Sequence, residues 1–146
     1  MLTQYMEKAY EEAQKAYDEN EVPVGCVIVY KDTIISHAHN TAESDKNSLR
    51  HAELSAIETA VKIFGKSKLS ECTIYVTLEP CPMCAWAIVL SGIKTAVFGA
   101  FDLKCGAFGS VFDLSKNNKF SDIEVYGGIL EEKCSDILKD FFRKIR

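Results

Sequence analysis

Two short clusters in the 146-residue chain hold residues that can do chemistry together: His51-Ala52-Glu53 and Pro80-Cys81-Pro82-Met83-Cys84. Cys-x-x-Cys offers two thiols one helical turn apart, and thiolate is the form that binds zinc. A structural zinc site needs two further Cys or His ligands, whereas a catalytic site needs one and keeps a position for water. His51 offers that one as a neutral imidazole. Two thiolates cancel the charge of the ion and weaken it as a Lewis acid, so a carboxylate base is needed beside it, and Glu53 is at hand. On an ideal helix, residues two apart point about 200° from each other; this is acceptable because Glu53 has to reach a water and not the ion. Read alone, Cys-x-x-Cys near a βαβ pattern also fits a redox pair. The second proline, the strand-to-helix position and the upstream His-x-Glu favour the metal reading.

The elements that must position these residues follow from periodicity. Leu2, Tyr5, Met6, Ala9, Ala13, Ala16 and Tyr17 fall on helical spacing, which predicts an amphipathic helix ending near Asn20. Runs of β-branched residues over 22–30 and 34–38, around Lys31-Asp32-Thr33, predict a hairpin. A polar stretch, 41–50, leads to a second helix with Asn47 or Ser48 as its cap and Gly65 as its stop. Strands over 72–78 and 95–100 flank an apolar helix over 82–91, ended by Gly92. This βαβ unit requires parallel strands and a right-handed crossover. Pro82 suits the first helical position, which places Cys81 at the cap. A Gly-rich loop, 105–110, precedes a short strand at 123–126 and a last helix. Leu130, Cys134, Ile137, Leu138, Phe141, Phe142 and Ile145 are expected on one face of that helix. The whole reads as one mixed sheet covered by helices.

Composition narrows the class. Hydrophobic content of 47% suffices for one core. No apolar run approaches the roughly 18 residues of a membrane span, and the first residues lack a secretion signal, so a cytoplasmic protein is expected. In that reducing setting Cys26, Cys72 and Cys134, which lie on apolar faces, are expected as buried thiols. The net charge of -4 argues against a surface that is cationic throughout. Arg143-Lys144-Ile145-Arg146 is the densest basic cluster, and cations also simply suit a helix C-terminus.

The order His-x-Glu then Pro-Cys-x-x-Cys resembles the cytidine deaminase superfamily. Glu21-Val22-Pro23-Val24-Gly25, Asn40, Thr77-Leu78-Glu79-Pro80-Cys81 and Val97-Phe98-Gly99-Ala100 are similar to family blocks in order and spacing. The Asp102 to Ser110 segment and Asp140-Phe141-Phe142-Arg143 resemble its bacterial tRNA adenosine deaminase branch. The resemblance implies an α/β, cytidine deaminase-like fold over residues 1–146, a single mixed five-stranded sheet sandwiched by helices in one zinc-dependent deaminase domain. It implies one zinc on His51, Cys81 and Cys84, and hydrolysis of adenosine to inosine at the wobble position of a tRNA anticodon loop, with Glu53 moving the protons. Asn40 then orients the base and Val22 lines its pocket. Asp102, Lys104, Phe142 and Arg143 lie along the nucleic-acid path, and the usual assembly is a homodimer; the apolar stretch Ala85 to Leu90 is consistent with that. Three positions depart from the family pattern: Asn47-Ser48-Leu49-Arg50 replaces a stretch close to Asp-Pro-Thr-Ala, Cys105 stands in place of Thr, and Trp86 in place of a small residue.

Two other readings compete. One is deamination of a free base or nucleoside such as guanine or cytosine, which the negative net charge favours. The other is a zinc-stabilised partner subunit without turnover, which has no need of Glu53.

Overall fold

The computed structural model describes residues 2–116 and 118–145. Its centre is one five-stranded sheet in the order β2-β1-β3-β4-β5, built from β1 (Gly25–Tyr30), β2 (Thr33–His39), β3 (Cys72–Leu78), β4 (Thr95–Ala100) and β5 (Glu124–Tyr126). β1 pairs antiparallel with β2 and β3, whereas β3-β4 and β4-β5 are parallel. Helices α1 (Leu2–Asp18) and α4 (Glu131–Lys144) lie on one face, and α2 (Ala52–Phe64) and α3 (Pro82–Ser91) on the other. This is the expected mixed sheet between helices, with the βαβ unit β3-α3-β4 parallel as predicted.

The period-2 alternation of the strands divides the core. Cys26, Ile28, Ile74, Val76, Ala96 and Phe98 face α2 and α3, while Val27, Val29, Tyr75 and Val97 face α1 and α4. A buried side chain of this size contributes roughly 1.5–3 kcal/mol relative to exposure. The seat of α1 on β1 is close: a Cβ on Gly25 would fall 2.0 Å from the Ala9 carbonyl oxygen and 2.4 Å from the Ala13 nitrogen. Only glycine admits that approach.

The ends of the elements show local chemistry. Asn20, in the left-handed region at φ 61°, closes α1 in a Schellman motif, with Asn20 N–H donating to Tyr17 and Glu21 N–H to Ala16. The hairpin turn is the two residues Lys31 and Asp32, both at positive φ, so Thr33 opens β2 opposite Tyr30. The pairing slips between Ile28 and Val29, which leaves Ile35 as a bulge in β2.

Three expectations need correction. β1 starts at Gly25 and not at Val22, because Pro23 has no N–H and the carbonyls of Val22 and Val24 are taken by the side-chain and backbone N–H of Asn40. The cap of α2 is His51 and neither Asn47 nor Ser48; Asn47 instead accepts the Leu49 N–H at 3.0 Å in a turn of its own. On α4, Cys134 and Phe141 are buried but Phe142 and Ile145 are exposed, since adjacent helical residues point about 100° apart. Arg146, from the basic cluster, lies outside the described residues.

Candidate metal centre

His51 ends the polar stretch in extended backbone, φ -77° and ψ 152°, and is followed at once by α2. It therefore does not share the helical wheel with Glu53, and the expected 200° separation does not arise. Cys81 occupies the same place on α3, φ -73° and ψ 171°, with Pro82 at the first helical position. Cys84 follows one turn in and is fully buried. Nδ1 of His51 lies 3.7 Å from Sγ of Cys81 and 3.6 Å from Sγ of Cys84. A tetrahedral zinc with bonds of about 2.0–2.1 Å to nitrogen and 2.3 Å to sulfur sets neighbouring ligand atoms roughly 3.5–3.8 Å apart. The three donors thus fit zinc in identity and spacing. Among the described residues they are the one group of three His, Cys or carboxylate side chains close enough to share an ion.

The electrostatics of the three follow from their contacts. The Cys81 thiol is lowered to about 4, first by hydrogen bonding from Cys84 and, against its burial, by His51. Cys84, as the donor in that pair and buried besides, is pushed far above the usual thiol range. A cation held by both sulfurs takes them as thiolates, so its binding would release their protons. Hydrogen bonding to Cys81 raises the His51 imidazole. Burial raises the Glu53 carboxyl to about 7, with the Cys81 thiolate adding to the effect.

His51, Glu53 and Cys81 open onto a small pocket of about 180 Å³, below the range of drug-sized sites. Val22, Asn40, His51, Glu53, Cys81 and Asp102 all border it. Asn40 is held at both ends of its amide, donating to the Val22 carbonyl at 3.3 Å and accepting the Ala42 N–H at 3.2 Å. Asp102 caps its own turn as well, accepting the N–H of Lys104 and of Cys105. Lys104, Phe142 and Arg143 are not in the pocket wall; all three are exposed, and Arg143 faces Asp140 at 3.9 Å.

Several pocket residues carried no role in the sequence reading. Val24, Leu78 and Cys105 also line the wall; the Cys105 sulfur lies 3.4 Å from the Asp102 carboxylate, and burial together with that carboxylate raises its thiol to about 11. Glu79 is a buried carboxylate at the same wall. Its signal in the sequence was a lone acid between an apolar strand and Pro80. Of the departures from the family pattern, Arg50 turns outward to Glu58 at 3.3 Å, and Trp86 meets Phe120 edge-on with ring centroids 5.4 Å apart.

The model of the MafB19-like deaminase family matches residues 2–146. The tRNA-specific adenosine deaminase of Bacillus subtilis (strain 168) is 47% identical over 143 residues, covering 97% of this chain and 89% of that protein. The tRNA-specific adenosine deaminase of Rickettsia typhi is 44% identical over 144 residues, covering 97% of each. A solved structure from work on A-to-I editing by tRNA:A34 deaminases at the wobble position superposes with a TM-score of 0.87 at 36% identity, covering 93% of this chain and 99% of that one. The guanine deaminase of Nitrosomonas europaea has the same fold, TM-score 0.75 over 93% of this chain and 81% of that one, at 19% identity. Matched along almost its whole length, and with His51, Cys81 and Cys84 close enough together to hold an ion, the chain belongs to the MafB19-like deaminase family.

Proposed function

We propose that this protein is a zinc-dependent hydrolase that converts adenosine to inosine at the wobble position of a tRNA anticodon loop. The chemistry rests on one observation: a His-Cys-Cys triad of zinc spacing sits beside Glu53 in a pocket that also holds Asn40 and Asp102. The choice of tRNA rests on the full-length relatives at 44–47% identity.

His51, Cys81 and Cys84 would hold a zinc ion, which would supply Lewis acidity to a water in the pocket. Glu53 takes a proton from that water as its oxygen bonds to C6 of adenine, and delivers it to ring N1. Glu53 then moves the second water proton to the exocyclic amine as the C–N bond breaks, and ammonia leaves. Adenosine and water are consumed, inosine and ammonia formed. Asn40 orients the base against the Val22 wall, and Asp102 contributes to the pocket rim. Lys104, Phe142 and Arg143, outside the pocket, meet the flanking nucleotides and their phosphates. Unpaired loop bases enter such a pocket at far smaller cost than stacked ones.

The zinc-dependent deaminase domain takes in residues 1–146, and the assembly is a homodimer. Trp86 and Leu90, one turn apart on the outer side of α3, lie only half-buried or exposed, beside exposed Phe120. No helix among the described residues is long and apolar enough to cross a membrane. A tRNA substrate is what supports the cytoplasm as the site of action.

The test is incubation of the purified protein with tRNA and, separately, with free adenosine, guanine and cytosine, following inosine and ammonia. Inosine at the anticodon wobble position is expected. Efficient turnover of guanine or cytosine with no inosine in any tRNA would replace this reading by that of a free-base deaminase, which the net charge of -4 favours.

A further inference from the structure

Glu79 is 1% exposed, and a buried carboxylate is costly unless its oxygens are satisfied. All of its side-chain partners come from one segment. Oε1 accepts the Asp102 N–H at 3.1 Å and the Ser110 hydroxyl; Oε2 accepts the N–H groups of Phe108 at 3.1 Å and Ser110 at 3.0 Å. The loop from Asp102 to Ser110 is thus wrapped around the carboxylate as a nest of donors around an anion. Gly106 gives independent evidence of how tightly it is wrapped. A Cβ there would lie 2.4 Å from both Cδ and Oε1 of Glu79 and 2.5 Å from the Asp102 carbonyl oxygen. The backbone of Glu79 is fixed in turn, its N–H donating to Ala100 at 2.8 Å, while the next carbonyl, Pro80, accepts the Ala107 N–H at 2.8 Å. The residue after that is Cys81.

We infer that Glu79 is a positioning residue for the substrate: its carboxylate ties the loop carrying Asp102 and Lys104 to the strand end that carries the metal ligand Cys81. The inference rests on the proposed function for what the loop binds, and on geometry for the tie. Both oxygens are occupied by loop donors, so Glu79 acts through the loop although it borders the pocket. A second loop is held in the same way. Glu21, fully buried, accepts the N–H groups of Glu43 at 2.9 Å and Ser44 at 2.6 Å, and the Ser44 hydroxyl.

The experiment uses Glu79→Gln, which turns one acceptor oxygen into an NH2 facing N–H donors, in a Glu53→Ala background that binds RNA without turning it over. Three quantities are measured: zinc content, affinity for an anticodon stem-loop by fluorescence anisotropy, and amide hydrogen exchange. Expected are one zinc per chain, at least tenfold weaker stem-loop binding, and at least tenfold faster exchange at Phe108 and Ser110. Glu43 and Ser44, held by Glu21, should exchange as before. Affinity within twofold of the parent, unchanged exchange at Phe108 and Ser110, or loss of zinc would each overturn the inference; the last would make Glu79 a support of the metal ligands. Should Glu79→Gln not fold, Gly106→Ala decides, because it leaves the carboxylate in place and forces the loop off it; the same pattern is expected, and wild-type exchange and affinity would overturn the tie. The exchange measurement needs no RNA. Failure of the Glu53→Ala parent to bind any stem-loop therefore sinks the tRNA reading alone, while exchange still decides whether Glu79 holds the loop.

Discussion

His51 and Cys81 are both N-caps, of α2 and α3, and the ligand atoms they present are 3.7 Å apart. Two helix N-termini therefore converge on one point. Neither cap residue hydrogen-bonds its own helix through its side chain, which leaves both side chains available to a metal ion. The unpaired N–H groups and the positive ends of two helix dipoles favour thiolate there.

The convergence predicts one zinc per chain in protein purified without added metal. Cys81→Ala with Cys84→Ala should abolish zinc binding, leaving one of three protein ligands. Metal analysis of wild type and double variant checks this; active wild-type protein without zinc would refute the assignment.

Glu53 borders the pocket but is no ligand in the triad, so Glu53→Ala should separate turnover from metal binding. Zinc content should stay at one per chain, while kcat falls by about 10²–10⁴-fold or more, because one residue serves several proton transfers. Retention of more than about a tenth of wild-type kcat would remove Glu53 from the mechanism.

Arg143 and Lys144 close α4, with the Lys144 ammonium 4.2 Å from the centre of the Tyr17 ring. Replacing both with Ala should weaken tRNA binding without changing zinc content. Wild-type affinity should fall with salt by a slope of roughly two to four released ions, and the double variant by about one to two fewer. Titrations at several salt concentrations measure both slopes, and identical slopes would take the α4 terminus off the RNA path.

Equilibrium sedimentation at micromolar concentration should give the mass of a dimer. Leu90→Lys, a charge on the outer side of α3, should shift it towards monomer while the fold stays intact by circular dichroism. A wild-type monomer would leave the apolar outer residues of α3 without the partner proposed for them.

Glu21 gives a prediction in pH. Burial pushes its carboxyl up, but the Ser44 hydroxyl and the amides of Glu43 and Ser44 outweigh burial and hold it below the ordinary value of 4.5. A folded-state pKa below the unfolded one means that folding favours the ionised form. The contribution is therefore fully present above about pH 4.5 and is lost as pH falls through the folded value. Glu21→Gln should lower stability by about 1–3 kcal/mol at pH 7, and its difference from wild type should shrink as pH drops below about 4.5. Urea unfolding of both proteins across pH 3 to 7 checks the sign.

How much of this was legible depended on how local the cause was. Cys81, Pro82 and Cys84 declare a helix start by themselves, and the strands around them follow from β-branched runs. His51 as a cap was hidden, because Asn47 is the better capping type and only the course of the chain shows that its side chain serves Leu49 instead. The bulge at Ile35 depends on pairing across the hairpin. Phe141 and Phe142 are identical in type, and only the rotation of α4 on the sheet makes one core and the other surface. Glu79 was furthest from reach: its donors lie 23 to 31 residues along the chain, and no spacing rule connects them.

The two margins of the sheet bear on how copies of this protein meet. β2 is interrupted by its bulge and carries His37 and His39, and β5 is three residues long and includes Glu124. Neither offers the long, flat, apolar row of free N–H and C=O groups on which a foreign strand polymerises. Strand addition from molecule to molecule is disfavoured at both margins, so the folded protein at high concentration should resist growth into ordered cross-β fibrils from its native sheet.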